Sequence, residues 1–292
     1  MGPLDTWAQN DRRRSGAVKG TNLIPFNAAM TAVPTFTTLN IIVDERIAIF
    51  EFARPNNLNA LSRLCLSELV TASAWLGQQS AVRVVIIRGQ GRAFCAGFDL
   101  NDFATADPNI SLHASADLGR LATEALTNIP QVTIAAIHGH CVGGGVVLAG
   151  ACDLRVASDD AQFSIPEVDL GIPLAWGGIP RLVREIGPAA TRELVLTCRP
   201  FDAHEAKHLR FVNTVVARAD LETCVDVLAR SLAAKSALVL QMTKVAVNQA
   251  TEELLSTAGS VGDADKLVSA THDAESRAAG AAYIAGRKRK PQ

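Results

Sequence analysis

The spacing of apolar and polar residues divides this chain into strands and helices that alternate. Apolar residues between 40 and 52, interrupted by one polar pair, predict a β-hairpin. Nearly continuous apolar runs at 82–87 and 132–137 predict strands that are covered on both faces. Helical spacing follows Ser62 and recurs from about residue 112 to 127. This alternation predicts an α/β layered fold with crossover connections.

The same pattern predicts three regions along the chain. Residues 1–36 mix Gly, Pro, Asn, Thr and Arg without periodicity, which is typical of a flexible leader. Residues 37–200 carry the predicted strands and form the expected core. Residues 201–292 are predicted to be helical, with 213–216 as the one candidate strand.

Composition restricts the classes of function. The 292 residues are 48% hydrophobic and 20% charged, which is usual for a chain with a substantial core. A net charge of −1 argues against nucleic acid or an anionic membrane as a partner. No apolar run is long enough to predict a transmembrane helix. The six cysteines form no CxxC pair and predict reduced thiols in a cytoplasmic protein.

Two turns that lead from a strand into a helix are candidates for ligand binding. Residues 92–100 follow the strand predicted at 82–87, and residues 138–145 follow the strand predicted at 132–137. Ligands of α/β sheets bind beyond the carboxyl ends of strands, where helix N-termini offer unpaired N–H groups. The alternative interpretation of Gly143, Gly144 and Gly145 is close packing of a helix on a strand. The run lacks the spacing of a phosphate-binding or dinucleotide-binding loop.

Glu167 is the candidate for proton transfer. It lies in an apolar segment directly after Pro166, where burial would raise the carboxyl pKa. The alternative interpretation is a structural ion pair with a residue such as Arg181. If the segment is a strand, Asp169 shares the face of Glu167. No carboxylate lies at metal-ligand spacing from the histidines at 138 and 140, so no metal site is expected.

Several motifs in their order and spacing resemble the crotonase superfamily, the enoyl-CoA hydratase/isomerase family. The motifs that carry the resemblance are Arg54-Pro55, Leu58 to Leu61, Ala93 to Leu100, Gly143 to Gly145, Cys152 to Arg155 and Phe163 to Gly171. The resemblance implies a spiral of ββα units followed by a C-terminal helical region. It also implies that these helices pack across a homotrimer, or a dimer of trimers.

The resemblance further implies an acyl-CoA substrate and a thioester enolate as the intermediate. By position, the backbone N–H groups of Phe98 and Gly144 would hold the enolate oxygen. The backbones of Ala60, Leu61 and Ala96 match positions that contact the adenine end of coenzyme A. Coenzyme A enters as part of the substrate, and no separate cofactor is expected.

The chain departs from the family's hydratases at one catalytic position. Those enzymes use two glutamates; the later one corresponds to Glu167, and the earlier one is replaced by Val147. Dienoyl-CoA isomerases add an aspartate at a position that is Ala175 here. Trp176 is expected to line or close the acyl pocket. We therefore expect a double-bond isomerase with one catalytic glutamate. The alternatives are a hydratase or hydratase-lyase, and a non-catalytic acyl-CoA-binding protein.

Overall fold

A computed structural model describes residues 32–104 and 110–288 of the chain. Most of the predicted N-terminal leader, residues 1–31, lies outside the described residues, as do the last four residues. Within the described part, Phe36 already packs against the core. The backbone N–H groups of Thr37 and Thr38 donate to the carboxylate of Glu68, each at 2.8 Å.

The strands form two sheets. Their bounds are β1 Leu39–Asp44, β2 Ile47–Phe52, β3 Val84–Gly89, β4 Ala93–Cys95, β5 Val132–Ile137, β6 His140–Val142, β7 Leu154–Ser158, β8 Gln162–Ser164, β9 Phe201–Asp202 and β10 Thr214–Val216. The larger sheet has the order β1-β2-β3-β5-β7-β10, and the smaller one has the order β4-β6-β8-β9. The hairpin β1–β2 and the pair β8–β9 are antiparallel, and the remaining neighbours are parallel.

The helices alternate with the strands, and the C-terminal region is mostly helical. Their bounds are α1 Arg63–Gly77, α2 Leu100–Ala104, α3 Leu112–Thr127, α4 Gly144–Gly150, α5 Gly178–Thr197, α6 Ala203–His208, α7 Leu221–Ala233, α8 Ala237–Leu254, α9 Asp263–His272 and α10 Ala274–Lys288. Helix α5 is kinked at Gly187, which has φ 77° and precedes Pro188. Among these helices of the described chain, none is long and apolar enough to cross a membrane.

The order of elements is a spiral of ββα units. Strands β3, β5 and β7 lie in the larger sheet, and the strand after each of them lies in the smaller sheet. After β4 and after β6, helices return the chain to the larger sheet. After β8, α5 leads to β9 of the smaller sheet, and α6 then leads to β10 of the larger sheet. Both β3 and β5 are buried along nearly their whole length, as their continuous apolar runs predict. The predicted α/β fold and its helical C-terminal region are confirmed.

Local sequence signals position two of the long helices. The hydroxyl of Ser62 accepts the Cys65 N–H at 3.1 Å and caps α1, and the hydroxyl of Ser111 caps α3 in the same way. The helix predicted from about residue 112 to 127 has those bounds. The three-residue strands of the smaller sheet were not predicted from the pattern, because a run that short carries no detectable period.

Helix α8 is attached to the larger sheet through a buried ion pair. The Lys244 Nζ lies 2.8 Å from Oδ2 of Asp153 and donates to the Gln131 carbonyl at 2.9 Å. The same Asp153 oxygen accepts the N–H and the hydroxyl of Thr133 in β5. This network lies at the amino ends of β5 and β7, whereas the turns singled out above leave the carboxyl ends.

We expect Lys244→Met to lower the free energy of unfolding by about 3 kcal/mol, because it leaves a largely buried carboxylate without its cation. The measurement is chemical denaturation. Lys266→Met is the matched control: its pair with Asp263 has a lysine that is 62% exposed, so the loss should stay below about 1 kcal/mol. Equal losses in the two variants would contradict the role of the buried pair.

Candidate active site

The two candidate turns lie side by side because β4 and β6 are parallel neighbours, with Cys95 opposite Cys141. Their backbones touch beyond the strand ends. A β-carbon added to Gly97 would lie 2.7 Å from the Val142 carbonyl oxygen and 3.6 Å from the Gly144 nitrogen. Phe98, next to Gly97, forms a bridge with Leu61. The structure therefore places the backbones of Phe98 and Gly144 close together. This proximity is compatible with the prediction that their two N–H groups point at one oxygen atom.

Gly143 makes the turn into α4 possible. Its φ of 52° and ψ of −115° lie in a region that residues with a β-carbon rarely adopt. The following residue, Gly144, is the first of the helix, where an N–H group has no acceptor within the helix. A β-carbon on Gly143 would also overlap Oε1 of Glu167. Glycine at position 143 thus permits the turn and also leaves space for the carboxylate of Glu167.

Glu167 lies in a turn that follows β8, and not on a strand. The N–H of Ile172 donates to the Glu167 carbonyl at 2.9 Å, and the N–H of Leu170 donates to the Pro166 carbonyl at 3.0 Å. The condition under which Asp169 would share a face with Glu167, a strand in this segment, is therefore not met. The Asp169 side chain is exposed at the turn.

One carboxyl oxygen of Glu167 is buried without a partner. Although the residue as a whole is half-buried, Oε2 is inaccessible to solvent and has no hydrogen-bond partner in the described part of the chain. Burial raises the carboxyl pKa to about 7, and a hydrogen bond from the residue's own backbone N–H acts in the opposite direction. The predicted elevation of this pKa agrees with the geometry.

The alternative interpretation of Glu167, an ion pair with Arg181, is not present. Arg181 is buried and donates to the carbonyls of Trp176 and Gly177, each at 3.2 Å. It also donates to the hydroxyl of Thr127 at 3.2 Å. Arg181 thus supports the backbone after the Glu167 turn rather than neutralising the carboxylate.

A cavity of about 470 Å³ opens onto Glu167. Its walls join the candidate site to the C-terminal helices and are mostly apolar. The lining residues include Phe98, Gly144, Val147, Glu167 and Trp176, together with Leu112 and Ala116 of α3, Leu267 and Val268 of α9, and Ala281 and Ile284 of α10. Such a volume lies within the range of small-molecule sites.

Two wall residues are the apolar positions that the sequence comparison with hydratases and dienoyl-CoA isomerases singled out as predicted replacements of carboxylates. Val147 lies one turn into α4 and is 2% exposed, and Ala175 is buried in the segment before α5. Both line the cavity. Among the lining residues that the structure describes, Glu167 is therefore the one carboxylate. No cluster of three or more metal-ligating side chains occurs in the described residues.

The structure separates the predicted site residues into two groups. Glu167, Phe98, Gly144, Val147 and Trp176 surround the cavity. In contrast, Ala60, Leu61 and Ala96 do not line it. The Leu61 N–H donates to the Gly97 carbonyl at 2.8 Å, its carbonyl accepts the Asp99 N–H at 3.0 Å, and the Ala96 N–H donates to the Leu58 carbonyl. Their assignment to the adenine end of coenzyme A stays a prediction.

Sequence reasoning missed the walls that α3, α9 and α10 contribute. Ser276 and Gly280 of α10 contact the turn after Glu167: a β-carbon on Gly280 would lie 2.8 Å from the Leu170 carbonyl oxygen, and one on Gly171 would overlap the Ser276 carbonyl. No local signal in the sequence indicates this contact, because the two segments are about a hundred residues apart.

The sequence profile of the enoyl-CoA hydratase/isomerase family matches residues 43–292. The chain belongs to this family. It is 37% identical over 224 residues to a probable enoyl-CoA hydratase of Mycobacterium tuberculosis, which covers 76% of this chain and 85% of that protein. A peroxisomal Δ3,5-Δ2,4-dienoyl-CoA isomerase of Arabidopsis thaliana is 37% identical over 235 residues, with 75% and 84% covered.

Solved structures agree with this enoyl-CoA hydratase/isomerase assignment. The crystal structure of a probable enoyl-CoA hydratase from Mycobacterium smegmatis has a TM-score of 0.70 and 33% identity, and covers 80% of this chain and 93% of that chain. The crotonase resemblance is confirmed. The names of these relatives include both hydration and isomerisation.

We expect Glu167→Gln to become more stable relative to the unchanged protein as pH rises from about 5 to 8. The folded carboxyl has a pKa of about 7 against 4.5 for an unperturbed group, so the native state holds its proton more tightly. The resulting stabilisation is complete below about pH 4.5 and disappears as pH rises through 7, a change of at most about 3 kcal/mol. Denaturant unfolding at both pH values measures it.

Asp169→Asn is the control for this titration. It removes an exposed carboxylate two residues away and should follow the unchanged protein at both pH values. A stability difference between Glu167→Gln and the unchanged protein that is constant with pH would show that the carboxyl group is not desolvated in the folded state.

Proposed function

We propose that the protein moves a double bond in an enoyl-CoA thioester from C3–C4 to C2–C3, with Glu167 as its single base and acid. One observation carries this proposal: Glu167 is the one carboxylate among the described cavity-lining residues. An isomerase needs one group that takes a proton and returns it, whereas the family's hydratases orient a water between two carboxylates. Val147 can neither orient a water nor donate a proton.

The proposed reaction is a proton transfer within one bound substrate. The Glu167 carboxylate removes a proton from C2 of the 3-enoyl thioester, and the electron pair passes to the thioester oxygen. The backbone N–H groups of Phe98 and Gly144 stabilise that oxygen. Glu167 then returns the proton to C4, where the C3–C4 electron pair of the dienolate accepts it. The C1–C2 pair forms the C2–C3 double bond, and the pair on oxygen restores the thioester carbonyl. No water is consumed.

The pKa of Glu167 suits both half-reactions. A general base that later acts as an acid works best when its pKa is close to the working pH, because both protonation states are then populated. Burial supplies that value of about 7. The apolar walls also exclude water from the dienolate, which strengthens its interaction with the two N–H groups.

Hydration is the second candidate, favoured by the names of relatives such as the probable enoyl-CoA hydratase of M. tuberculosis. It would require a group other than Val147 to orient the water. A binding protein without catalysis is a weaker candidate. A buried carboxyl oxygen without a partner costs free energy, and binding alone gives no reason to keep it.

The deciding experiment offers the purified protein trans-3-enoyl-CoA and trans-2-enoyl-CoA, with products identified by chromatography and mass. We expect the 3-enoyl substrate to give the 2-enoyl product without gain of a water. Glu167→Gln should lower kcat/KM by about 10²–10⁴-fold, the usual contribution of general acid–base catalysis. Asp169→Asn, which changes an exposed side chain at the same turn, should keep the activity.

Two results would overturn the isomerase. Formation of a 3-hydroxyacyl-CoA as the main product would assign hydration to the site. Binding of both substrates without conversion of either would favour the acyl-CoA-binding protein.

We also propose that the protein assembles as a homotrimer or a dimer of trimers. Helix α8 supports this, because Val239, Met242, Val247 and Leu254 are all more than half exposed, Leu254 by 84%. Such an apolar face favours a protein partner.

Light scattering after size exclusion should give a mass that is a multiple of three chains. Val247→Glu should reduce it if α8 lies in the interface, and a monomeric mass for the unchanged protein would contradict the proposal.

A further inference from the structure

The indole of Trp176 lies between two helices that each present a glycine to it. A β-carbon added to Gly119 of α3 would overlap Cε2, Cδ2 and Nε1 of the indole, its three nearest atoms. A β-carbon added to Gly144 of α4 would overlap Cζ3 and would lie 2.9 Å from Cη2. One end of the ring system therefore rests on α3 and the other on the first residue of α4.

The backbone of Trp176 is held so that the ring cannot leave this position by a shift of the chain. Its carbonyl accepts the buried Thr123 hydroxyl at 3.0 Å and Nη1 of Arg181 at 3.2 Å. Its φ is 60°, in the left-handed region that costs a non-glycine residue about 1 kcal/mol or more. A conformation of this kind persists only where its surroundings impose it. A clash at the ring must therefore be relieved by rotation of the side chain or by movement of α3.

Glycine at position 119 does not stabilise α3. A glycine inside a helix destabilises it by about 0.5–1 kcal/mol relative to alanine. Gly119 lies in the middle of α3 and is buried. The atoms nearest to its missing side chain all belong to the Trp176 indole, whereas Gly286 of α10 has nothing within 4 Å. The position therefore provides space for the ring.

The same indole is a wall of the cavity beside the reacting groups. Trp176 lines the cavity together with Glu167 and Val147. It meets the Phe98 ring edge to face, with the centroids 6.0 Å apart. Because Gly144 blocks the ring on the α4 side, a ring displaced from α3 has the cavity as its open direction.

We propose that Gly119 determines, through Trp176, the length of the apolar acyl chain that the cavity accepts. This inference rests on the proposed acyl-CoA site. With the thioester oxygen at Gly144 and C2 at Glu167, the chain runs past the indole. Its far end then packs against Leu112, Leu267 and Ile284. Gly119 acts as a positioning residue and does not contact the substrate itself.

The test measures binding of saturated acyl-CoA thioesters, which report the cavity without any reaction. Titration calorimetry gives Kd for butanoyl-, octanoyl- and dodecanoyl-CoA with the unchanged protein, Gly119→Ala, Trp176→Ala and the double variant. Gly286→Ala is the matched control, since it changes a helical glycine with open space around it. Thermal unfolding of each variant reports stability separately.

We expect Gly119→Ala to weaken octanoyl-CoA binding about tenfold or more and butanoyl-CoA binding less than about twofold. A tenfold loss corresponds to about two buried CH₂ groups. Trp176→Ala should strengthen dodecanoyl-CoA binding, and the double variant should bind like Trp176→Ala because the ring through which Gly119 acts is gone. Gly286→Ala should match the unchanged protein throughout.

The inference is overturned if Gly119→Ala weakens all chain lengths equally, or if it still weakens the longer chains in the Trp176→Ala background. Should Gly119→Ala fail to fold, the double variant decides: recovery of folding and of Trp176→Ala-like binding supports the inference, and continued misfolding rejects it. Failure of the unchanged protein to bind any acyl-CoA would instead reject the proposed function.

Discussion

The burial of one carboxyl group against the backbone of a glycine turn is the constraint on which the rest of the site depends. Glu167 reaches over Gly143, and a β-carbon on that glycine would occupy the place of its Oε1 atom. Oε2 has no cation or hydrogen-bond donor as a partner in the described part of the chain. Desolvation therefore raises the pKa to about 7 against the opposing hydrogen bond from the residue's own backbone N–H, and a carboxyl of that pKa can both accept and return a proton.

The spiral fold brings this carboxyl group to the two N–H donors. Each turn of the spiral ends one strand of the smaller sheet at the same edge, so the turns after β4, β6 and β8 converge there. The first carries Phe98, the second carries Gly144, and the third carries Glu167. Parallel pairing of short strands is sufficient for this arrangement, since β4, β6 and β8 have only three residues each.

The walls of the cavity come from elements that are distant in sequence. Helix α10 touches the turn after Glu167 through small residues, and the Trp176 indole fits between glycines of α3 and α4. Each of these contacts requires the absence of a side chain on one partner. In the proposed isomerase, such contacts would shape the space around the acyl chain without adding polar groups that compete for the proton.

The hydrophobic pattern and the spacing of motifs by themselves determined many of the secondary-structure elements and part of the candidate site. The hairpin β1–β2, the strands β3, β5 and β10, the start of α1, the bounds of α3, the two glycine-containing turns and the raised pKa of Glu167 could all be predicted. These features depend on local periodicity, on capping by residues such as Ser62, and on backbone conformations that only glycine adopts readily.

Other features were decided only by the tertiary structure. The three-residue strands are too short to show a period, the Glu167 segment is a turn rather than a strand, and Arg181 supports the Trp176 carbonyl instead of pairing with Glu167. The need for glycine at 119 arises from an indole 57 positions later in the chain. A contact between distant segments leaves no periodic or local trace in the sequence, because it exists only once the chain has folded.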